Sequence, residues 1–375
     1  MTAQYNAPRM ATTDPVAPTP ALARPDPAHV SDAVGSKLPF NATFRNLIPL
    51  AGDASNRRYF RIELDASPAR SVILMQLAEP EAFKQSEEAV SGSHAVNELP
   101  FLNIHRHLLN AGVAVPALYH YDQAAGLLYL EDLGDLTLFE ACRASRPDEL
   151  ELRYRQAIDG LVRIQLKASA PAHPGILAFH RHFDVPLLMW EFDHFVEYGI
   201  EARHGQPVGP DDRRALRDEF QKISELLAGE PRVFVHRDYH SRNLMVGGDR
   251  LGIIDFQDAL MGPASYDLAS LLRDAYIALD EALIDRLLAY YLDHMDEWQR
   301  TRANRDTFRR VFDFTSIQRN LKAAGRFVYI DRIKGNPKFL ADIPRTLGYV
   351  KRNLLKYPEL GALRTLMSAY VPELR

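Results

Sequence analysis

Asp238, Asn243 and Asp255 are the residues of this chain whose types and spacing best suit chemistry. An apolar run over 233–236 leads into His236-Arg237-Asp238, and Asn243 follows five residues after that aspartate. A second run over 251–255, after the Gly247-Gly248 turn, ends in Ile254-Asp255-Phe256. Two carboxylates and an amide are thereby delivered to one edge of a fold. Mg²⁺ is a hard ion that takes oxygen ligands, commonly a carboxylate, an amide oxygen and phosphate oxygens, which suits Asp255 and Asn243. Phosphoryl transfer also needs a separate aspartate to accept or orient the proton of the attacking hydroxyl, which suits Asp238. A His-Arg-Asp triplet alone often only caps a turn, and a strand-terminal aspartate often caps a helix. The ordered set is more telling, because HxDxxxxN followed by an apolar-strand Asp is the pattern of kinase catalytic and metal loops. That template gives His236 no chemical step, so it is expected to brace the loop.

Residues 44–50, 58–64 and 71–77 read as strands, as do 117–121 and 127–131, with a helix over 97–111 that stops at Gly112. Helical spacing covers 148–167, 186–198, 211–227, 264–277, 281–293 and 305–327. The fold class expected is α+β, a small, mostly antiparallel sheet lobe with one helix ahead of a larger helical lobe. Residues 1–38 carry Pro8, Pro15, Pro18, Pro20, Pro25 and Pro27 with little aliphatic content. Such a stretch cannot offset its ordering entropy, so a disordered tail is expected.

Of the 375 residues 46% are hydrophobic and 25% charged, enough to build a sizeable core. The formal net charge of −4 leaves no global basic field, so no nucleic-acid partner is expected. The single cysteine, Cys142, has no histidine nearby in sequence and is read as a packing thiol. No apolar run reaches membrane-spanning length and no signal-peptide pattern opens the chain. A cytoplasmic monomer is the expectation.

The segment from His236 resembles the aminoglycoside phosphotransferase superfamily, the kinase-like fold that includes choline and homoserine kinases. Within it the chain looks most like the anomeric N-acetylmuramate/N-acetylglucosamine kinases of bacterial cell-wall recycling. The closer likeness rests on Gly52-Asp53-Ala54-Ser55-Asn56-Arg57-Arg58-Tyr59-Phe60-Arg61, Leu130-Glu131-Asp132-Leu133-Gly134-Asp135 and His236-Arg237-Asp238-Tyr239-His240-Ser241-Arg242-Asn243. Ile254-Asp255-Phe256-Gln257-Asp258, Tyr266-Asp267, Gln318-Arg319-Asn320-Leu321-Lys322 and Asp342-Ile343-Pro344-Arg345 add to it. The resemblance implies a protein-kinase-like two-lobed fold, ATP and Mg²⁺, and a small-molecule amino-sugar acceptor phosphorylated on its anomeric hydroxyl. It divides the chain into the tail (1–38), a nucleotide-binding lobe and hinge (39–135) and a catalytic helical lobe (136–375).

On that template the loop over 52–58 is the phosphate-covering loop, with Ser55, Asn56, Arg57 and Arg58 as donors to phosphate. Glu131 and Leu133 fall in the hinge, whose main-chain groups would hold adenine. The strand lysine that usually pairs with phosphate is missing, since Met75 or Gln76 stands there and Lys84 lies beyond Pro80. Arginine from the loop is the expected substitute. For the acceptor, Arg273, Asp274 and Glu191 are the candidates, with Asp193 beside the last. Two other readings stay open: an aminoglycoside, choline or homoserine acceptor, and a nucleotide-binding pseudokinase acting as a regulator.

Overall fold

Asp26 caps a helix that the composition does not lead one to expect. In the computed structural model, which describes residues 23–50, 57–77, 98–143, 145–170, 172–247, 250–295 and 305–375, helix α1 spans Pro27–Lys37. The Asp26 carboxylate accepts the Ala28 N–H at 3.1 Å, and Pro27 sits in the first turn, where its missing N–H costs nothing. Val30, Ala33 and Val34, at helical spacing, are buried against the sheet that follows. The expectation of a disordered tail over 1–38 therefore fails for 27–37. Val30, Ala33 and Val34 fall on one face, where burial contributes about 1.5–3 kcal/mol for a valine. Residues 1–22 of that stretch lie outside the described residues.

The chain folds as two units. One comprises the chain to Glu81 with Leu118–Leu130, and the other comprises Ala82–Ala117 with Glu131–Arg375. In the first unit β1 (Thr43–Pro49), β2 (Arg58–Asp65), β3 (Ser71–Gln76), β4 (Leu118–Asp122) and β5 (Leu127–Glu131) form one sheet ordered β1-β2-β3-β5-β4. The pairs β1–β2, β2–β3 and β4–β5 are antiparallel. Phe60, Ile62 and Leu64 alternate inward along β2 and pack with Leu47, Val72, Leu74 and Tyr129 beneath α1.

The second unit begins with α2 (Pro100–Asn110), which ends at Gly112 in the left-handed conformation (φ +71°). The Phe101 ring of α2 lies tilted 5.0 Å from that of Phe256, and His105 bonds the Pro116 carbonyl, so α2 belongs with the helical unit rather than with the sheet. The division expected near 135 is thus replaced by a chain that leaves the sheet, enters the helical unit, returns for β4 and β5, and leaves again.

Helices α3 (Leu138–Arg143), α4 (Pro147–Arg163), α5 (Val185–His194) and α6 (Pro210–Ala228) follow. The ends of α4 and α5 widen into π-helical turns at Ile164–Ala168 and Phe195–Ala202. Two short hairpin-like pairings come next. β6 (Arg232–Val235) pairs antiparallel with β9 (Leu260–Pro263), and β7 (Leu244–Gly247) pairs antiparallel with β8 (Arg250–Ile253). The chain closes with α7 (Ser265–Leu272), α8 (Glu281–His294), the long α9 (Arg305–Lys334), α10 (Ile343–Lys356) and α11 (Gly361–Tyr370). Gly325 lets α9 press on the π turn after α5, since a Cβ there would lie 2.8 Å from the Phe195 Cα. Among the described residues no helix is long and apolar enough to cross a membrane.

Candidate active site

The pairing register of two four-residue strands brings the chemistry together. Leu244 pairs with Ile253 at the open end of the β7–β8 pair, so Asn243 and Asp255 are carried to the same edge. The Ile254 N–H donates to the Asn243 carbonyl at 3.1 Å and extends the ladder by one step. Asn243 Nδ2 then donates to the Asp238 carbonyl at 3.0 Å and lies 3.4 Å from Asp255 Oδ2. With Nδ2 engaged, the amide oxygen is the atom that Asn243 has for a cation. A carboxylate beside an amide oxygen is the hard donor set that Mg²⁺ prefers, so these residues fit the ion. Among the described residues no group of three His, Cys, Asp or Glu makes a protein-only cage. That suits an ion shared with phosphate oxygens, which would complete its shell.

Asp238 is positioned by backbone strain that its neighbours hold in place. Arg237 and Asp255 are non-glycine residues at positive φ (+82° and +66°), a conformation that costs roughly 1–3 kcal/mol each. The Asp267 carboxylate holds the first of them, taking the His236 N–H at 2.6 Å on one oxygen and the Arg237 N–H at 2.9 Å on the other. His236 Nδ1 accepts the Asp238 N–H at 3.3 Å, which leaves Nε2–H to donate to the Ile254 carbonyl at 3.0 Å. Burial lowers this imidazole below its ordinary pKa, so it stays neutral. Both ring nitrogens are spent on main chain, and His236 ties the Asp238 turn to the Asp255 turn. Tyr239 anchors the same loop through a 2.8 Å bond to the Ala157 carbonyl of α4.

The charge around Asp238 is positive. Burial would raise its carboxyl, but Lys322, His240, Arg319 and Arg237 outweigh that and hold it well below the usual carboxylate range. Lys322 and Arg319 come from α9, whose stretch from Asp313 to Lys322 buries Thr315, Ser316, Gln318 and Asn320 as well. Sequence reasoning assigned none of these a role. A polar run in the middle of a long helix flanked by Phe312, Phe314 and Ile317 was the available signal.

The acceptor candidates Glu191, Arg273 and Asp274 have internal partners instead. Glu191 is fully buried: Oε1 accepts from Arg237 at 2.9 Å and lies 3.4 Å from Lys322 Nζ, while Oε2 accepts from Gln318 at 2.6 Å. It neutralises and positions the His-Arg-Asp turn. Arg273 is buried and bidentate to Glu281 at 2.5 and 2.8 Å. Asp274, also buried, receives the Ser241 N–H at 2.9 Å and the Tyr276 N–H at 2.8 Å, so it too braces the catalytic loop. The polar partners of all three are protein groups. Asp193 forms a 2.5 Å ion pair with Arg217 at the surface.

On the nucleotide side, Ser55 and Asn56 lie outside the described residues. Arg58 opens β2 opposite Gln76, with its guanidinium 5.2 Å over the Phe60 ring, and Arg57 precedes it. Met75 and Gln76 are buried, and Gln76 donates to the Ala23 carbonyl at 3.0 Å, so neither replaces the expected lysine; Lys84 is outside the described residues. Glu131 closes on Ala117 through both its N–H (2.8 Å) and its carboxylate (3.0 Å). Leu133 packs on Gly252 of β8 so closely that a Cβ there would lie 2.5 Å from Leu133 Cδ1. Burial pushes the Cys142 thiol up to about 11, which rules against a nucleophile.

Comparison with known proteins agrees with this geometry. The model of the phosphotransferase enzyme family matches residues 46–303. An N-acetylmuramate/N-acetylglucosamine kinase of Pseudomonas putida is 31% identical over 335 residues, covering 86% of this chain and 88% of its own. Another, from Neisseria meningitidis, is 33% identical over 325 residues, with 84% and 88% covered. A crystal structure of a choline kinase from Streptococcus pneumoniae superposes with a TM-score of 0.57 at 16% identity, covering 88% of this chain and 99% of that one.

Proposed function

Because this chain belongs to the phosphotransferase enzyme family, we propose that it transfers the γ-phosphoryl group of ATP to the anomeric hydroxyl of N-acetylmuramate or N-acetylglucosamine. The product is the sugar 1-phosphate, formed in the cytoplasm during recycling of cell-wall sugars by a monomeric enzyme. The observation that carries the chemistry is the strand register that sets Asn243 and Asp255 side by side next to Asp238. The sugar follows from relatives more than 30% identical over most of both chains, which bear that name.

Asp238 is the group that meets the acceptor. Its depressed pKa keeps it ionised at neutral pH, so it accepts the hydrogen bond of the sugar hydroxyl and aims the oxygen at phosphorus. As the new P–O bond forms and the bond to the ADP oxygen breaks, the hydroxyl proton passes to Asp238. So weak a base contributes mainly by orientation, which is what a loose phosphoryl-transfer transition state requires. Asn243 and Asp255 hold Mg²⁺, which when bound neutralises charge on the phosphates. Ser55, Asn56, Arg57 and Arg58 are assigned to the phosphates, and Glu131 and Leu133 to the adenine through their main-chain groups.

The reading is tested by ³¹P NMR of protein mixed with N-acetylmuramate, ATP and Mg²⁺. A new phosphomonoester resonance coupled to the anomeric proton is expected alongside ADP. ATP that stays intact with both sugars, while it is consumed with an aminoglycoside, choline or homoserine, would overturn the acceptor.

A further inference from the structure

Arg242 stands in sequence between Asp238 and Asn243, and its charge has no counter-ion among the described residues. Its guanidinium carbon lies 3.7 Å over the Tyr276 ring, 4.9 Å from the Phe139 ring and 5.8 Å from the Phe339 ring. It makes no hydrogen bond or ion pair with any described residue. The buried arginines around half-buried Arg242 differ. Arg237 is paired with Glu191, Arg273 with Glu281, and Arg319 donates to Ser270. Aromatic faces hold a cation in place without neutralising it, so this guanidinium keeps both its field and its planar fork of N–H donors.

Each residue of the cage is held by a further contact. Phe139 is tied to the loop by its N–H bond to the Ser241 carbonyl at 3.0 Å. The Tyr276 N–H is held by Asp274, and the Phe339 ring stacks on Phe327 of α9 at 5.5 Å. Two neighbouring polar atoms in the same turn, His240 Nδ1 and Ser241 Oγ, also lack a protein partner. A preorganised cation with spare donors beside unpaired polar atoms is what an anion-binding subsite requires. N-acetylmuramate differs from N-acetylglucosamine by a lactyl group whose carboxylate is such an anion.

We propose that Arg242, caged by Phe139, Tyr276 and Phe339, binds a carboxylate of the acceptor and sets the enzyme's preference for an acidic amino sugar. The proposal rests on the sugar-kinase reading above and deepens it. The same guanidinium could serve a nucleotide phosphate, and the experiment separates the two sources.

The test compares kcat/KM for N-acetylmuramate, its lactyl methyl ester and N-acetylglucosamine in wild type, Arg242→Gln and Arg242→Lys. In wild type the ester is expected to behave like N-acetylglucosamine. In Arg242→Gln the ratio of N-acetylmuramate to N-acetylglucosamine is expected to fall by about tenfold to hundredfold, the worth of a charge-assisted hydrogen bond. The loss should sit in the sugar KM, with the KM for ATP little moved, and Arg242→Lys should recover part of the ratio. An unchanged ratio overturns the proposal, whether both sugars keep their rates or both lose them equally with a raised KM for ATP, as a phosphate ligand would give. Should Arg242→Gln not fold, the lysine variant and the wild-type ester decide: a lysine variant with the full wild-type ratio, or an ester equal to the acid, overturns it. Wild type inactive on both sugars defeats the sugar-kinase reading itself, a result distinct from an active enzyme with an unchanged ratio.

Discussion

Asp267 grips Arg237 by its main chain, with the Arg237 N–H 2.9 Å from Oδ1, and so holds a left-handed residue immediately before the catalytic aspartate. The grip is made by a buried carboxyl whose pKa burial pushes up to about 7, even though the His236 and Arg237 N–H groups pull it down. The folded-state value is raised above the ordinary 3.8, so the folded protein binds this proton more tightly than the unfolded chain does. The stability this confers is complete below about pH 4 and is lost as pH rises through about 7.

That linkage can be isolated with Asp267→Asn, which cannot titrate. The stability of wild type relative to the variant should decline between pH 4 and 8 by an amount on the order of a few kcal/mol, measured by urea unfolding at each pH. His236 has the opposite sign, because its folded pKa is lowered, and the subtraction removes it where the two proteins share its environment. A flat difference across the range would mean that Asp267 is already ionised at pH 4 when folded.

Asp238→Asn should lower kcat by about 10²–10⁴-fold, the usual worth of a positioned acid–base group. ATP affinity, read by calorimetry in the presence of Mg²⁺, should stay within a few-fold. Wild-type turnover in the variant would remove Asp238 from the reaction.

Asn243→Ala and Asp255→Asn should each raise the Mg²⁺ concentration for half-maximal rate by about tenfold or more, since each removes a hard oxygen ligand. Metal titration of initial rates measures this. Saturation at wild-type concentrations in both variants would place the ion elsewhere.

Glu191→Gln keeps the shape of the side chain but leaves Arg237 and Lys322 without their shared counter-charge. Breaking a buried ion pair from one side costs about 3–5 kcal/mol, so a clearly lower melting temperature is expected. A variant as stable as wild type with a raised sugar KM would return Glu191 to the acceptor site.

Asp238, Asn243 and Asp255 were legible as candidates because they lie within twenty residues of one another and punctuate two apolar strands. What supports them was not. Glu191 meets Gln318 and Lys322 from distant helices, and no local periodicity records such a contact. The helix α1 was hidden by proline content, although Asp26-Pro27 is a helix-start signal when read position by position. Strand β9 was overlooked because Leu260–Pro263 is four residues long and has meaning only as the partner of β6. Helical spacing carries 264–277 past Arg273 and Asp274, yet α7 stops at Leu272 and both residues are buried.

Gly325→Ala probes a close contact between α9 and the turn after α5. Alanine is the better helix former by about 1 kcal/mol, but its methyl group would enter the Phe195 backbone. A net loss of about 1–3 kcal/mol is expected by thermal denaturation. A gain in melting temperature would show that α9 has room to retreat.

The interleaved path of the chain also sets the timing of its biosynthesis. Residues to Gln76 emerge first, yet their sheet lacks β5 until Leu130 has left the ribosome. Helix α2, made between the two halves of that sheet, meets Ala168 and Gly175 first, while Phe101 and Ala114 wait for Phe256 and Ile253. At roughly 5–20 residues per second the wait is on the order of ten seconds. Throughout it Phe101 lacks its ring partner Phe256, which makes the nascent α2 segment a natural client for chaperones during synthesis.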